Sequence, residues 1–272
     1  MIIDSHTHVW VQQPGKYPWS PLGGYVPETE APIKNLLDVM EVYGVEGAVL
    51  VQPTPYGWNN RYLVEAAKTA PDKLRTVGLV DPMNQQNDIE MKRLVKLGGV
   101  NGFRLNWHLQ PVSVWEQAPA HLTFWKTARE LNRPICIQCT LDYVPLLASM
   151  CQRFPQVRVV VDHLARLNPA LGITDINFQQ LLSLAQGPNT YIKISGLHYC
   201  SRQSPPYEDI MPFIQAILDS YGVNRCLWGS DFPFIQEHWD YESMLTFIKQ
   251  IVMRSKEDVQ WLLGNTASNL WW

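Results

Sequence analysis

Charge is scarce in this sequence of 272 residues: Asp, Glu, Lys and Arg make up 17%, against about 25% in an average soluble domain. The charge present sums to −3, from 22 Lys and Arg against 25 Asp and Glu, so there is no basic footprint for a nucleic-acid backbone. Apolar runs stop short of the roughly 18 residues a membrane helix needs, and the N-terminus lacks a signal-peptide layout. Cysteine is sparse and odd in number, five in all, which argues against a disulfide framework and for a reducing, cytoplasmic setting. No low-complexity stretch, internal repeat or linker breaks the chain, so we expect one domain over residues 1–272. Against these shortages stand 11 Trp, 11 Tyr and a 46% hydrophobic content. That suits a large buried core, or surface covered in a homo-oligomer.

Short β-branched runs recur along the whole chain. They predict strands at Ile2–Ser5, Gly47–Gln52, Leu74–Val80, Val100–Leu105, Pro134–Cys139, Val157–Asp162, Tyr191–Ser195 and Arg225–Ser230. Most are continuously apolar, as strands buried on both faces are. Between them, helical spacing appears at Ile33–Tyr43, Ile89–Leu97, Phe124–Leu131, Val144–Phe154, Phe178–Leu184, Ile210–Tyr221 and Tyr241–Val252, and Ser255 with Asp258 has the form of a capping box before Val259–Leu263. Eight strands alternating with helices in about 250 residues describe a closed (β/α)8 barrel. An open doubly wound sheet would carry a glycine-rich phosphate loop after its first strand, where this chain has His6-Thr7-His8. Connections leaving the strands are long and aromatic, such as Val9–Pro32, Asn106–Ala118, His198–Pro206 and Phe232–Asp240. Those returning to the strands are short, which places the working face at the strands' C-terminal ends.

The residues ending the strands carry the chemistry. Side chains alternate along a strand, so Asp4, His6 and His8 share a face and the two imidazoles converge at its C-terminal end. Val161-Asp162-His163 closes the sixth strand and Trp228-Gly229-Ser230-Asp231 the eighth. His6, His8, His163 and Asp231 therefore meet on one rim as the expected catalytic centre. His6, His8 and Asp231 are also three residues of the kind that hold one catalytic zinc.

These motifs, with VQP at 51–53, GLVDP at 78–82, GFRLN at 102–106, KISGL at 193–197 and GNTASNL at 264–270, give a chain that resembles the amidohydrolase superfamily throughout. More narrowly, it resembles the amidohydrolase-related branch that includes 2-pyrone-4,6-dicarboxylate lactonase and sugar-acid lactonases. The resemblance implies a barrel hydrolase that opens a cyclic ester in a small sugar-acid or dicarboxylate substrate. Asp231 would be the general base on water, with His6, His8 and His163 polarising the carbonyl. Metal-dependent members commonly add a ligand at the end of the fifth strand, where this chain has Gln138, a poor substitute for imidazole. Because the branch includes members that work without metal, we expect no cofactor. A single divalent cation such as zinc on His6, His8 and Asp231 is the alternative. Metal-dependent non-oxidative decarboxylation of an aromatic or unsaturated acid is the second reading the superfamily offers.

Arg104, Gln52, Gln138, Lys193 and Tyr199 are the expected substrate-binding residues. Arg104 suits a carboxylate or sugar hydroxyls, the two glutamines end apolar strands, and Tyr199 lies in a long loop. Lys193 inside a barrel calls for a carboxylate partner, so a structural role is equally open to it. The Cys136-x-x-Cys139 spacing reads as core rather than redox chemistry, since in a strand those side chains face opposite sides. Trp271-Trp272 reads as a subunit contact or a plug on the barrel bottom.

Overall fold

All eight β-branched runs form strands, and each pairs in parallel with the next. A computed structural model describes residues 1–251 and 255–272. The strands are β1 (Ile3–Thr7), β2 (Gly47–Val51), β3 (Leu74–Leu79), β4 (Gly102–Asn106), β5 (Ile135–Gln138), β6 (Val159–Val161), β7 (Thr190–Ile194) and β8 (Cys226–Trp228). The described helices are α1 (Ile33–Tyr43), α2 (Arg61–Ala67), α3 (Asn87–Lys96), α4 (Val112–Gln117), α5 (Pro119–Glu130), α6 (Val144–Arg153), α7 (Ile176–Ser183), α8 (Met211–Tyr221), α9 (Tyr241–Ile251), α10 (Lys256–Gln260) and α11 (Thr266–Trp271). This is the (β/α)8 barrel. No described helix is long and apolar enough to cross a membrane.

The bonds that join the last strand region to the first also set the rim. Ser5 Oγ donates to the Trp228 carbonyl at 2.5 Å, Asp231 N–H to the His6 carbonyl at 2.9 Å, and His8 N–H to the Phe232 carbonyl at 2.7 Å. Buried Asp4 accepts from Ser230 N–H at 2.8 Å and from the Tyr241 hydroxyl at 2.8 Å. Three of the four expected catalytic side chains are thus carried by backbone that these bonds lock together.

Most strand and helix ends differ from expectation by one or two residues, the ordinary scatter of element boundaries. The difference matters at β1, which runs on to Thr7 and holds His6 inside the sheet. Helices α2 and α4 were not foreseen. Each spans two turns or fewer, too short for a 3.6-residue period to stand out. Val252, the last residue of one expected helix, lies outside the described residues. Ser255 Oγ accepts from Asp258 N–H at 3.0 Å, so the C-terminal helical region opens at Lys256, three residues before the expected start. It passes through a π-turn at Trp261–Asn265 into α11.

Two apolar layers result. Between sheet and helices lies the larger one. Inside the barrel, Ile3, Val49, Val51, Val77, Cys136, Val160 and Leu227 pack with Leu270 and Trp271. Trp271 is therefore a plug on the barrel interior. Cys136 belongs to the inner layer and Cys139 to the outer one, both as free thiols.

Candidate active site

The C-terminal ends of the strands surround a cavity of about 260 Å³. His8, His163, Asp231, Arg104, Gln138 and Tyr199 line it, together with Tyr25, His108, Arg166 and Phe234. Three expected site residues do not. His6 and Lys193 are wholly buried. Gln52 donates from Nε2 to the Gly57 and Asn59 carbonyls, at 3.3 and 2.8 Å, so its amide ties down the loop after β2.

Asp231 stands at the centre of the imidazoles. Its Oδ1 lies 3.4 Å from His8 Nε2, 3.6 Å from His6 Nε2 and 4.0 Å from His163 Nε2. The Asp231 backbone is left-handed, with φ +63°, a conformation Asp and Asn adopt more readily than other non-glycine residues. His8 Nδ1 lies 2.7 Å from the Val51 carbonyl. A carbonyl only accepts, so the neutral ring carries its proton on Nδ1 and turns the Nε2 lone pair toward Asp231. His6 Nε2 and His8 Nε2 are 3.2 Å apart.

His163 opens a turn in which four successive residues are left-handed, with φ of 51°, 53°, 53° and 45° at His163, Leu164, Ala165 and Arg166. Such a conformation costs an L-residue about 1–2 kcal/mol. Here the fully buried Leu164 and Ala165 hold it in place, and the turn directs both the His163 imidazole and the Arg166 guanidinium to the cavity. His163 Nδ1 is 3.0 Å from Ser195 Oγ on the segment after β7. Arg166 lies over the Tyr199 ring at 4.3 Å, and its Nε is buried without a partner.

Beside this rim runs a buried ionic network that the sequence did not announce as a unit. Asp162 Oδ2 accepts from Arg104 Nε at 2.8 Å. Its Oδ1 is 3.0 Å from Lys193 Nζ and 3.5 Å from His6 Nδ1. Lys193 Nζ is in turn 3.1 Å from His6 Nδ1. The carboxylate that Lys193 requires is thus Asp162, next to His163 in sequence.

Electrostatics set the resting protonation. Burial pushes His163 down to about 3; burial, with the Lys193 charge behind it, holds His6 well below its ordinary value. Burial alone would raise the Asp231 carboxyl, but the surrounding imidazoles, His163 first, more than reverse that, leaving it below the usual carboxylate range. Around neutral pH the site therefore holds a carboxylate beside neutral His6 and His163.

His6, His163 and Asp231 each offer a ligand atom, all within 4.8 Å of one another, and so form a possible metal site. The trio expected from sequence, with His8 in place of His163, is also close-set, at 3.2, 3.4 and 3.6 Å. Two imidazoles and a carboxylate are a zinc-type donor set. Both trios share His6, and the fit fails there. A ring that ligates through Nε2 keeps its proton on Nδ1 and gives it to an acceptor. His8 meets that condition with the Val51 carbonyl, whereas His6 Nδ1 faces the Lys193 ammonium, which only donates.

Residues 3–271 match the model of the Amidohydrolase family, and the chain belongs to that family. A 4-sulfomuconolactone hydrolase of Rhizobium radiobacter is 28% identical over 85% of this chain and 75% of its own length. An L-fucono-1,5-lactonase of Burkholderia ambifaria is 25% identical over 91% of this chain and 87% of its own. Among solved structures, one named probable 2-pyrone-4,6-dicarboxylic acid hydrolase, from Acinetobacter baumannii with citric acid bound, superposes with a TM-score of 0.85. It is 27% identical and covers 99% of this chain and 98% of its own. A more distant barrel shares the fold alone: a dihydroxybenzoic acid decarboxylase from Polaromonas sp. JS666 with bound manganese, 15% identical, TM-score 0.72, covering 99% of this chain and 96% of its own.

Proposed function

We propose that this protein hydrolyses a lactone in a small molecule that carries a carboxylate, with Asp231 as general base. The observation that carries the reading is the Asp231 carboxylate, ionised and ringed by three imidazoles, on the wall of the cavity. The named activities of the two relatives described above, both lactone hydrolases, support the reaction class. Arg104 and Arg166 on the cavity wall support an anionic substrate, Arg166 above all because its Nε lacks a partner.

In this mechanism a water held between Asp231 and the lactone carbonyl attacks as Asp231 takes its proton. Sequence reasoning placed all three imidazoles on the carbonyl. His8 turns a lone pair inward, and His6 gives its Nε2 proton to that lone pair, so neither ring donates to the carbonyl. The developing oxyanion then falls to His163 and the Arg104 guanidinium, a fixed dipole and a fixed charge on the cavity wall. Collapse of the tetrahedral intermediate breaks the ring C–O bond, and Asp231 returns its proton to the leaving alkoxide. No step uses a metal ion.

The test is proton release from aliphatic, sugar-acid and pyrone-carboxylate lactones by chelator-stripped protein. Hydrolysis of a carboxylate-bearing member is expected. Silence both with and without added zinc or manganese would overturn the reading, and carbon dioxide release from a dihydroxybenzoate with manganese would replace it with decarboxylation.

Two further outcomes follow from the same geometry. Because Asp231 is depressed and His163 titrates near 3, neither group should give log kcat/KM an acidic limb between about pH 5 and 8. An acidic limb with its midpoint near 6 to 7 that persists in His8→Gln would contradict this protonation assignment. Arg166→Met should raise KM for the carboxylated lactone about 10- to 100-fold, since a charge-assisted hydrogen bond contributes about 1.5–3 kcal/mol, with kcat changed much less. Steady-state kinetics of the variant separates the two.

A further inference from the structure

We infer that Lys193 is a positioning residue that decides which nitrogen of His6 carries the proton, and that it thereby keeps divalent cations off the cluster of His6, His8 and Asp231. The inference deepens the lactonase reading of this site. It rests on that reading for its consequence to the rate, not for the direction of the hydrogen bonds.

The Lys193 ammonium is enclosed. Its Nζ is 3.1 Å from His6 Nδ1, 3.0 Å from Asp162 Oδ1 and 3.8 Å from Cys136 Sγ, and 5.5 Å from the centre of the Trp271 ring. The residue is wholly buried. An ammonium has three donors and no acceptor, so His6 Nδ1 receives a hydrogen bond and the neutral ring holds its proton on Nε2. That nitrogen lies 3.2 Å from His8 Nε2, which the Val51 carbonyl has made an acceptor. Donation therefore runs in one direction, from Lys193 to His6 to His8, and places an N–H where a ligand lone pair would have to be.

The same residue sets the charge of the site. Asp162 is the carboxylate that would orient a ligating His6, since Oδ1 is 3.5 Å from His6 Nδ1. Lys193 takes that oxygen at a shorter distance. Arg104 and Lys193 against Asp162 and Asp231 leave this buried group of charges balanced. A dication would add two uncompensated charges to this buried group, which is unfavourable. The donating His6 Nε2 then holds the His8 ring beside Asp231.

Two measurements test this on the full chain, and neither needs a substrate, so failure of the lactonase reading would be seen separately. In 15N-histidine-labelled wild-type protein, long-range proton–nitrogen correlation should show His6 protonated on Nε2 and bare on Nδ1, and His8 the reverse, with His6→Asn assigning the signal. A proton on His6 Nδ1 overturns the inference. In equilibrium dialysis of chelator-stripped protein, Lys193→Met should bind zinc about 10- to 100-fold more tightly than wild type, the usual scale for a partner of a ligating histidine. The gain should vanish in the double variant with His6→Asn. Equal zinc affinity in wild type and Lys193→Met also overturns it, and if Lys193→Met does not fold, the wild-type spectrum alone decides.

Discussion

Asp231→Asn is expected to lower kcat/KM for the accepted lactone by about 10²- to 10⁴-fold, the range that general-base catalysis supplies, while leaving the fold and KM near their wild-type values. Asn is isosteric and tolerates the left-handed backbone at φ +63° at least as well as Asp. The Asp231 N–H bond to the His6 carbonyl, which helps to join β8 to β1, involves only backbone and survives the change. What is lost is the basic oxygen. An amide cannot accept the proton of the attacking water, and its NH₂ can instead donate to the lone pair of His8 Nε2, 3.4 Å from the present Oδ1. That new bond would help to hold the fold. Single-turnover kinetics beside a thermal melt is the measurement. A variant within about tenfold of wild type would remove Asp231 from the role of base.

The architecture could be read from the sequence because eight β-branched runs and their alternation with amphipathic segments are local properties. The same holds for the rim, since any residue ending a strand must lie there. His6, His8, His163 and Asp231 come together for that reason. Partnership across the barrel is another matter. Nothing local to VVDHLA says that Asp162 meets Arg104 from β4 and Lys193 from β7. That follows from strand order and stagger, and the only signal was a buried lysine in want of a carboxylate. Gln52 shows the reverse failure. Its position at the end of an apolar strand matched that of a ligand-binding residue, but the loop it precedes uses up its amide protons. The direction of the His8 hydrogen bond was equally hidden, because it depends on a backbone carbonyl in β2. The left-handed turn at His163–Arg166 has no compositional mark at all. It contains no glycine, and tertiary packing overrides the local preference.

The close approach at Gly196 offers the sharpest check that His163 must be held where it is. Gly196 follows Ser195 with φ +56°, and a Cβ there would lie 2.4 Å from His163 Nδ1 and 2.7 Å from Tyr199 Cδ2. Gly196→Ala therefore combines a left-handed backbone penalty of about 1 kcal/mol with a clash that the imidazole can relieve only by leaving its 3.0 Å contact with Ser195. We expect a loss of about 2–4 kcal/mol in stability, as for other strained or overpacked sites. Activity should fall about 10²-fold, because a displacement of about 1 Å in a positioned group can have that effect. Gly44→Ala separates the two causes. Its backbone is left-handed like that of Gly196, with φ +67°, but nothing lies within 4 Å of the new Cβ, so it should show the backbone penalty with activity intact. Chemical denaturation and kcat/KM on both variants make the comparison. If Gly196→Ala behaves like Gly44→Ala, the ring has room to move without consequence, and His163 is not held by this contact in the way the mechanism requires.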